Sequence, residues 1–272
     1  MTAFRGIRRG ASGLAPWALG LSVLVSGCAP RLMSLPTDPG SPLPNFAEIH
    51  RQATSSCAGV RTFTAELTLS GRAGGQPLRG RAIAGFARPA SLRLEGLAPF
   101  GPPGFILADG GAGATLLLPR ENRVLHDAQS ADILAALTGI ALAPADLQAI
   151  LTGCVAPMPG ALGGRLHQRG LASIDLPSGA TLYLEQVGVG WRPRAARRPG
   201  WQIEYPVWQG AFPLEVRLRS VDSAIDVDLT AGVSQIEANI TIDPAAFMVV
   251  VPGSARSLTL AELREAGPMH AQ

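Results

Sequence analysis

Apolar and polar residues alternate along several stretches of this chain, and the alternation limits the folds open to it. In residues 60–71, VRTFTAELTLSG, phenylalanine, alanine and leucine share one face while threonine and glutamate share the other. Residues 214–219 and 225–229 repeat the pattern. A period of two predicts β-strands with one apolar and one solvated face, so the fold has to cover the apolar faces.

The pattern predicts about ten or eleven such strands and only a few short helices. Helical spacing occurs in residues 46–57, 130–137, 144–151 and 258–265, and the strand–helix–strand rhythm of a parallel sheet is absent. A mainly β, α+β fold follows, in which a half-open antiparallel barrel is covered by a short helical lid.

Such a barrel encloses an apolar cavity if the apolar residues of every strand point inward. An acyl chain needs no polar chemistry to bind there, because each buried methylene contributes roughly 0.8 kcal/mol. The predicted lining comes from the strands and from the two lid helices: Leu67, Leu69, Phe86, Leu92, Leu94, Leu116, Leu134, Leu137, Leu147 and Ile150.

The N-terminus has a basic start and an apolar run that ends in Val-Ser-Gly-Cys28. This pattern predicts a secretory signal with a lipobox, so we expect residues 1–27 to be removed and Cys28 to become a diacylated, N-acylated first residue. A transmembrane anchor is disfavoured because the apolar run, residues 14–25, is shorter than the roughly 20 residues needed to span a bilayer. Ala29 after the cysteine is typical of lipoproteins sorted to the outer membrane, where the domain would face the periplasm.

The mature chain divides into a tether and one domain. Residues 28–45 are rich in proline and small residues and predict a flexible, lipid-anchored segment, while residues 46–272 predict a single domain. Removal of the signal's three arginines takes the formal charge from +3 to near zero. The arginines of residues 192–198 are flanked by prolines and predict a loop, and no basic stripe for nucleic acid is present.

Cys57 and Cys154 are the only thiols left after lipidation. In an exported protein an even number of cysteines suggests one disulfide, although two buried free thiols also fit.

No constellation of catalytic residues is found, so the sequence predicts a protein that is not an enzyme and needs no cofactor. Absence of lysine excludes Schiff-base chemistry. The four histidines, His50, His126, His167 and His270, lack metal-ligand spacing. Asp222, Asp226 and Asp228 share one face of a strand, where three carboxylates fit either a Ca²⁺ site or an ordinary solvated surface; the solvated surface is preferred and no metal is expected.

One turn, within residues 92–107, LRLEGLAPFGPPGFIL, is almost wholly apolar. A turn normally places polar residues in water, so this turn has to meet either the core or a membrane. Its flanking arms are ordinary one-sided strands, which favours a projecting, membrane-inserting loop over a buried plug. The loop residues concerned are Pro99, Phe100, Pro102, Pro103 and Phe105.

Residues 92–153 resemble the LolA/LolB lipoprotein carrier superfamily, and within it more closely the outer-membrane lipoprotein receptors of the LolB type. The resemblance rests on the apolar loop between two strands, the following hairpin, and DILAALTGIALAPADLQAILTG, in which both helices end in LTG. It covers about a quarter of the chain, which departs from the family in its long region 160–213 and its longer C-terminus.

The resemblance implies an incomplete, strongly curved antiparallel barrel whose cavity accepts the acyl chains of lipoproteins. It also implies a protruding side chain, here Phe100, that helps to place lipoproteins into the membrane. The implied partners are lipid or acylated lipoprotein cargo, the outer-membrane bilayer and a periplasmic LolA-like carrier, with the receptor itself a monomer. The alternative is a structural envelope lipoprotein that scaffolds an outer-membrane complex through residues 97–106.

Lipidation at Cys28 is tested by the Cys28→Ser variant expressed in a Gram-negative host. The wild-type chain is expected in the membrane fraction with a mass increased by three acyl chains, since the thioether needs the cysteine sulfur. The variant is expected to lack that mass and to keep residues 1–27, since cleavage before residue 28 follows modification of the cysteine. Intact mass spectrometry that finds the same added mass on both forms, or none on the wild type, would contradict the lipobox assignment.

Overall fold

The computed structural model describes residues 33–155, 160–177, 179–222 and 226–266, and Cys28 and His270 lie outside these ranges. The described residues form fifteen strands and four α-helices. The strands are β1 (Ser41–Pro42), β2 (Thr62–Ala73), β3 (Gln76–Ala87), β4 (Ser91–Leu97), β5 (Phe105–Asp109), β6 (Ala114–Leu118), β7 (Arg123–Ala128), β8 (Gly163–Leu166), β9 (Leu171–Asp175), β10 (Thr181–Val187), β11 (Gly190–Arg198), β12 (Trp201–Gln209), β13 (Phe212–Ser220), β14 (Val227–Ala238) and β15 (Arg256–Ser257). The helices are α1 (Phe46–Ala58), α2 (Ser130–Thr138), α3 (Pro144–Thr152) and α4 (Leu260–Ala266). No helix among them is both long and apolar enough to cross a membrane.

All the strands belong to one sheet, in the order β1-β8-β9-β10-β11-β12-β13-β14-β2-β3-β4-β5-β6-β7-β15. The sheet consists of two meanders, β2 to β7 and β8 to β14, which are joined by the antiparallel pairing of β14 with β2. Every pairing is antiparallel except that of β15 with β7. Because β1 and β15 end the order without pairing to each other, the barrel is not closed.

The sheet curls around its helices. Helix α3 contacts both β4 and β13, although three strands lie between them in the sheet. Helix α1 contacts β8 and β11, and α2 packs against α4. The prediction of a mainly β, curved and unclosed antiparallel sheet with helices over its concave side is therefore confirmed.

The strand count exceeds the ten or eleven strands predicted from the sequence, partly because the arginine-rich segment is a strand. Residues 190–198 form β11, not the loop that their prolines predict. Pro193 lies beside a register shift, where Tyr183 faces Ala195 and Leu184 faces Pro193, so Arg194 bulges out of the ladder. A bulge is one of the few places where a sheet tolerates a residue without an N–H donor.

The last strands also differ from the pattern. Residues 227–238 form one long strand, β14, with a register shift between Ser234 and Glu237, where the sequence predicts two separate strands. Residues 247–251 were expected to add a final strand, but Phe247 instead ends a 3-10 turn, Pro244–Phe247. The terminal helix, expected at 258–265, is observed as α4.

The ends of the described chain cross the outer, convex face of the sheet. Residues 33–43, named here the N-terminal strap, lie along β8 to β12, and Ser41–Pro42 pair with β8 where the sequence predicts a free tether. Residues 244–258, the C-terminal strap, cross β4 to β7, where Arg93 donates hydrogen bonds to the carbonyls of Ala246 and Met248. Both straps therefore cover outer-face positions that solvent would otherwise reach.

A disulfide joins Cys57, at the end of α1, to Cys154, just beyond α3, with a Cα–Cα distance of 5.5 Å. This is the pairing that the sequence leaves open against two free thiols. Both cysteines are almost fully buried and pack with Ala149. The bond fixes the C-terminal end of α3 to the helix that begins the domain.

Loss of this bond is expected to destabilise the fold. The disulfide closes a loop of 97 residues, for which the chain-entropy argument gives about 4.7 kcal/mol of unfolding free energy, with measured losses of roughly 2–5 kcal/mol. Denaturant unfolding of Cys57→Ser with Cys154→Ser, compared with the oxidised wild type, measures the difference. An unchanged midpoint and slope would show that the disulfide contributes nothing.

Candidate functional site

The concave side of the sheet brings together all ten residues predicted to line a cavity. Eight of them belong to one continuous apolar cluster, and Leu69 and Leu147 are partly buried against it. Phe86, Leu92 and Leu116 have no exposed surface. The assumption that every strand turns its apolar residues inward therefore holds for the strands that carry these side chains.

The second meander also contributes to this interior, and the ten residues omit it. Alternation of apolar and polar residues in β10, β12 and β13 could have predicted this contribution, but the apolar side chains of these strands were not assigned to the cavity. The inward residues concerned are Leu182, Leu184, Ile203, Tyr205, Val216 and Leu218. Tyr205 is fully buried, which raises the pKa of its phenol, and its hydroxyl has no hydrogen-bond partner among the described residues.

The interior is filled by side chains of the helices. Helix α2 inserts Ile133, Leu134 and Leu137 into the cluster, and α3 inserts Ile150 and Leu151. Two cavities formed by described residues lie elsewhere. One, of about 160 Å³, lies between α1, Gly153 and the indole rings of Trp191 and Trp208, and one of about 400 Å³ lies at residues 59–62 and 239–240. In this structure, side chains of α2 and α3 therefore occupy the interior where the sequence predicts an open acyl-chain cavity.

The two helices that cover the interior are held at their ends by polar contacts. Arg198 of β11 donates to Asp146 in the first turn of α3 at 2.7 Å and to the carbonyl of Val155 at 3.2 Å. At α2, Ser130 donates to Asp109, and Asp132 pairs with Arg264 of α4 at 2.9 Å. Only the C-terminal end of α3 has a covalent restraint, the disulfide.

The apolar loop projects from the sheet. Phe100 is 87% exposed at its tip, and Pro99 and Pro102 are also exposed. Pro103 and Phe105 are half-buried at the base of the loop. The buried-plug interpretation therefore does not describe Phe100, because its ring meets neither the core nor a helix.

Hydrogen bonds and packing hold the base of the loop, although Phe100 at its tip is exposed. The guanidinium of Arg120 donates to the carbonyls of Phe100 and Pro102, and the amide of Gly104 donates to the carbonyl of Gly96 at 2.9 Å. The ring of Phe105 packs against the core directly over Gly96, where a Cβ would overlap the ring. The close approach of the Phe105 ring needs a glycine at position 96. The hydrogen bonds from Arg120 and the packing of Phe105 hold the loop so that Phe100 points outward.

The described histidines and aspartates singled out in the sequence lie in several parts of the fold. His50 is buried in α1, and burial lowers its pKa; His126 is exposed, and His167 contacts Asp38 and Ser173. Within the described ranges, no group of three or more histidines, cysteines or acidic residues could hold a metal ion. Asp226 and Asp228 pair with Arg72 and Arg219, which agrees with a solvated sheet face.

Comparison with solved structures finds similar folds at low identity. A DUF1329 family protein from Desulfovibrio piger is 12% identical, with a TM-score of 0.48 over 76% of this chain and 98% of that chain. A LolA superfamily protein from Nitrosomonas europaea is 10% identical, with a TM-score of 0.47 over 74% and 98%. An outer membrane lipoprotein-sorting protein domain from Vibrio parahaemolyticus is 11% identical, with a TM-score of 0.43 over 74% and 95%. No protein-family model matches the chain, and no curated protein matches it.

The packing of Phe105 on Gly96 gives a test of the loop base. Gly96→Ala is expected to destabilise the protein by about 1–3 kcal/mol, because the added methyl group forces the ring out of the core. Gly80→Ala is the matched control, since a Cβ there meets nothing within 4 Å. Equal thermal unfolding of the two variants would contradict the role of Gly96.

Proposed function

We propose that this chain is a lipid-anchored envelope protein of the LolB type, which binds acyl chains of lipidated cargo in its concave interior and places the cargo into the outer membrane. It acts as a carrier and not as an enzyme. The observation that supports this most strongly is the continuous apolar interior of an unclosed sheet, covered by helices whose polar contacts are few.

Acyl binding in this proposal proceeds by displacement of α2 and of the N-terminal end of α3. The partly exposed Arg198–Asp146 and Arg264–Asp132 pairs stabilise the closed state by roughly 1 kcal/mol or less each. An acyl chain that buries about ten methylenes contributes roughly 8 kcal/mol, which offsets the loss of both pairs and part of the cost of exposing the apolar side chains of α2 and α3. The disulfide at the far end of α3 keeps the displaced helix attached and limits its path.

Binding is tested with the fluorescent fatty acid cis-parinaric acid and the unlipidated Cys28→Ala chain. Asp146→Asn is expected to take up the probe faster than the parent chain, because it removes the ion pair that holds the start of α3. Asp226→Asn is the matched control, since its ion pair with Arg72 is exposed and lies away from the helices.

One result would decide against acyl binding, and another would decide only against the helix displacement. Failure of every variant to bind the probe, together with purified protein free of lipid in mass spectra, would overturn the proposed function. Equal uptake rates for Asp146→Asn and Asp226→Asn would leave acyl binding intact but refute the helix displacement.

The projecting loop has the second role in this proposal: Phe100 enters the bilayer at the moment of transfer. Phe100→Glu is expected to slow transfer of an acylated reporter lipoprotein to vesicles at least about tenfold, while cis-parinaric acid binding stays unchanged, because a charge in place of the ring opposes insertion. Val189→Glu is the control, since Val189 is 99% exposed on another turn.

The same assay separates the alternative function. Unchanged transfer by Phe100→Glu would contradict the membrane role of the loop. Unchanged transfer with loss of a stoichiometric protein partner would assign residues 97–106 to the scaffolding of an outer-membrane complex.

A further inference from the structure

The N-terminal strap is fixed to the sheet at its first described residue. The amide of Met33 donates to a carboxylate oxygen of Glu204 at 2.6 Å, and Gln202 donates to the carbonyl of Met33 at 3.1 Å and to Glu204 at 3.0 Å. Gln202 and Glu204 are each only 5% exposed, on the outer face of β12. Loss of Met33 would leave buried polar groups unpaired, so the strap resists detachment.

The strap is pinned a second time further along. His167 contacts Asp38 at 3.2 Å, and Arg165 donates to the carbonyl of Pro39 at 3.1 Å. Residues 33–40 are therefore held against the sheet and do not add to the length of flexible chain between the lipid and the domain. Only five Cα–Cα steps separate Cys28 from Met33, and five such steps span at most about 18 Å.

The attachment point is nearer to one end of the strands than to the other. Glu204 is three residues from Trp201, where β12 begins, and five from Gln209, where it ends. At about 3.4 Å per residue, these distances are roughly 10 Å and 17 Å. The lipid on Cys28 can thus pass well beyond the end of the strands at Trp201, whereas the other end is at the limit of its reach.

The strand ends at Trp201 are also those that carry the Phe100 loop. The strand register shows this. The start of β12 at Trp201 faces the end of β13 at Ser220, and the start of β14 at Asp228 faces the end of β2 at Arg72. The start of β3 follows that end of β2 along the chain and lies on the same side as the end of β4. We call this edge the loop rim, which comprises residues 74–75, 98–104, 119–122, 161–162, 199–200 and 221–222. The opposite rim includes residues 188–189 and 210–211, the turns at the other ends of β10 and β12.

Exposed apolar residues alone do not distinguish the rims. The loop rim has Phe100, Leu162 at 68% exposure and Val221 at 49%, whereas the opposite rim has Val189 at 99% and Val187 at 47%. The position of Met33 distinguishes them, because the acyl chains on Cys28 reach a bilayer more readily at the loop rim.

We infer that the loop rim is the surface that faces the bilayer, with the N-terminal strap setting this orientation and with Leu162 and Val221 contacting lipid beside Phe100. The occupant of this surface is the membrane in which the protein's own lipid is inserted. The inference rests on the proposed function only through lipidation of Cys28. It assigns membrane contact to the second meander as well as to the loop between β4 and β5.

The test uses full, lipidated protein in vesicles of phosphatidylethanolamine and phosphatidylglycerol without cargo. Single cysteines replace Leu162, Val221, Val189 or Val250 and are labelled with an environment-sensitive fluorophore, since Cys28 and the disulfide cysteines do not react. Val189 reports on the opposite rim, and Val250, 93% exposed on the C-terminal strap, reports on the outer face. A blue shift and quenching by spin-labelled lipid are expected for Leu162→Cys and Val221→Cys only.

A second chain carries a flexible glycine-serine insert of about 20 residues after Leu32, which adds roughly 25 Å of mean reach. Loss of quenching at residues 162 and 221 is expected, because the strap then no longer holds the loop rim to the bilayer. Retained quenching there would overturn the role of the strap, and quenching of Val189→Cys or Val250→Cys would overturn the orientation.

Failure of this inference is distinct from failure of the proposed function. Acyl binding and transfer with quenching at residue 189 would leave the function intact and refute the orientation. Quenching at residues 162 and 221 in a protein that binds no fatty acid would support the orientation and refute the proposed function.

Discussion

The pairing of β14 with β2 is the contact on which the rest of the structure depends. It joins residues about 160 positions apart and converts two local meanders into one sheet. Gly71 lies in this pairing at a φ of +142°, where a Cβ would collide with the carbonyl of Asp228, so the two strands approach only because the side chain is missing. Without this pairing β4 and β13 would not both contact α3, and strands of only one meander would surround the concave interior.

The two faces of the sheet make different kinds of contact. Its concave face is apolar and packs against side chains of the helices. Its convex face is crossed by the two straps, of which the N-terminal one bonds through Met33 to Gln202 and Glu204 and the C-terminal one accepts hydrogen bonds from Arg93. Apolar packing therefore holds the helices, whereas polar contacts hold the straps.

Alternation alone predicted most strands of both meanders and the inward direction of the ten residues expected to line a cavity, because burial of one face determines side-chain parity. It could not predict β11, since its arginines and Pro193 argue against a strand and only a bulge accommodates them. The N-terminal strap was also missed. Its contacts run from the backbone of Met33 to side chains about 170 residues away, and no local pattern encodes such a pairing. The projecting loop was predictable, whereas its bracing by Arg120 was not.

An unclosed sheet has two free edges, and these normally invite a second copy to add its own strand. Here the edges are β1 and β15, which are two residues long each, and β1 contains Pro42, which has no N–H to donate. Edge strands this short are poor templates for another chain, so they disfavour edge-to-edge polymerisation although the sheet is open.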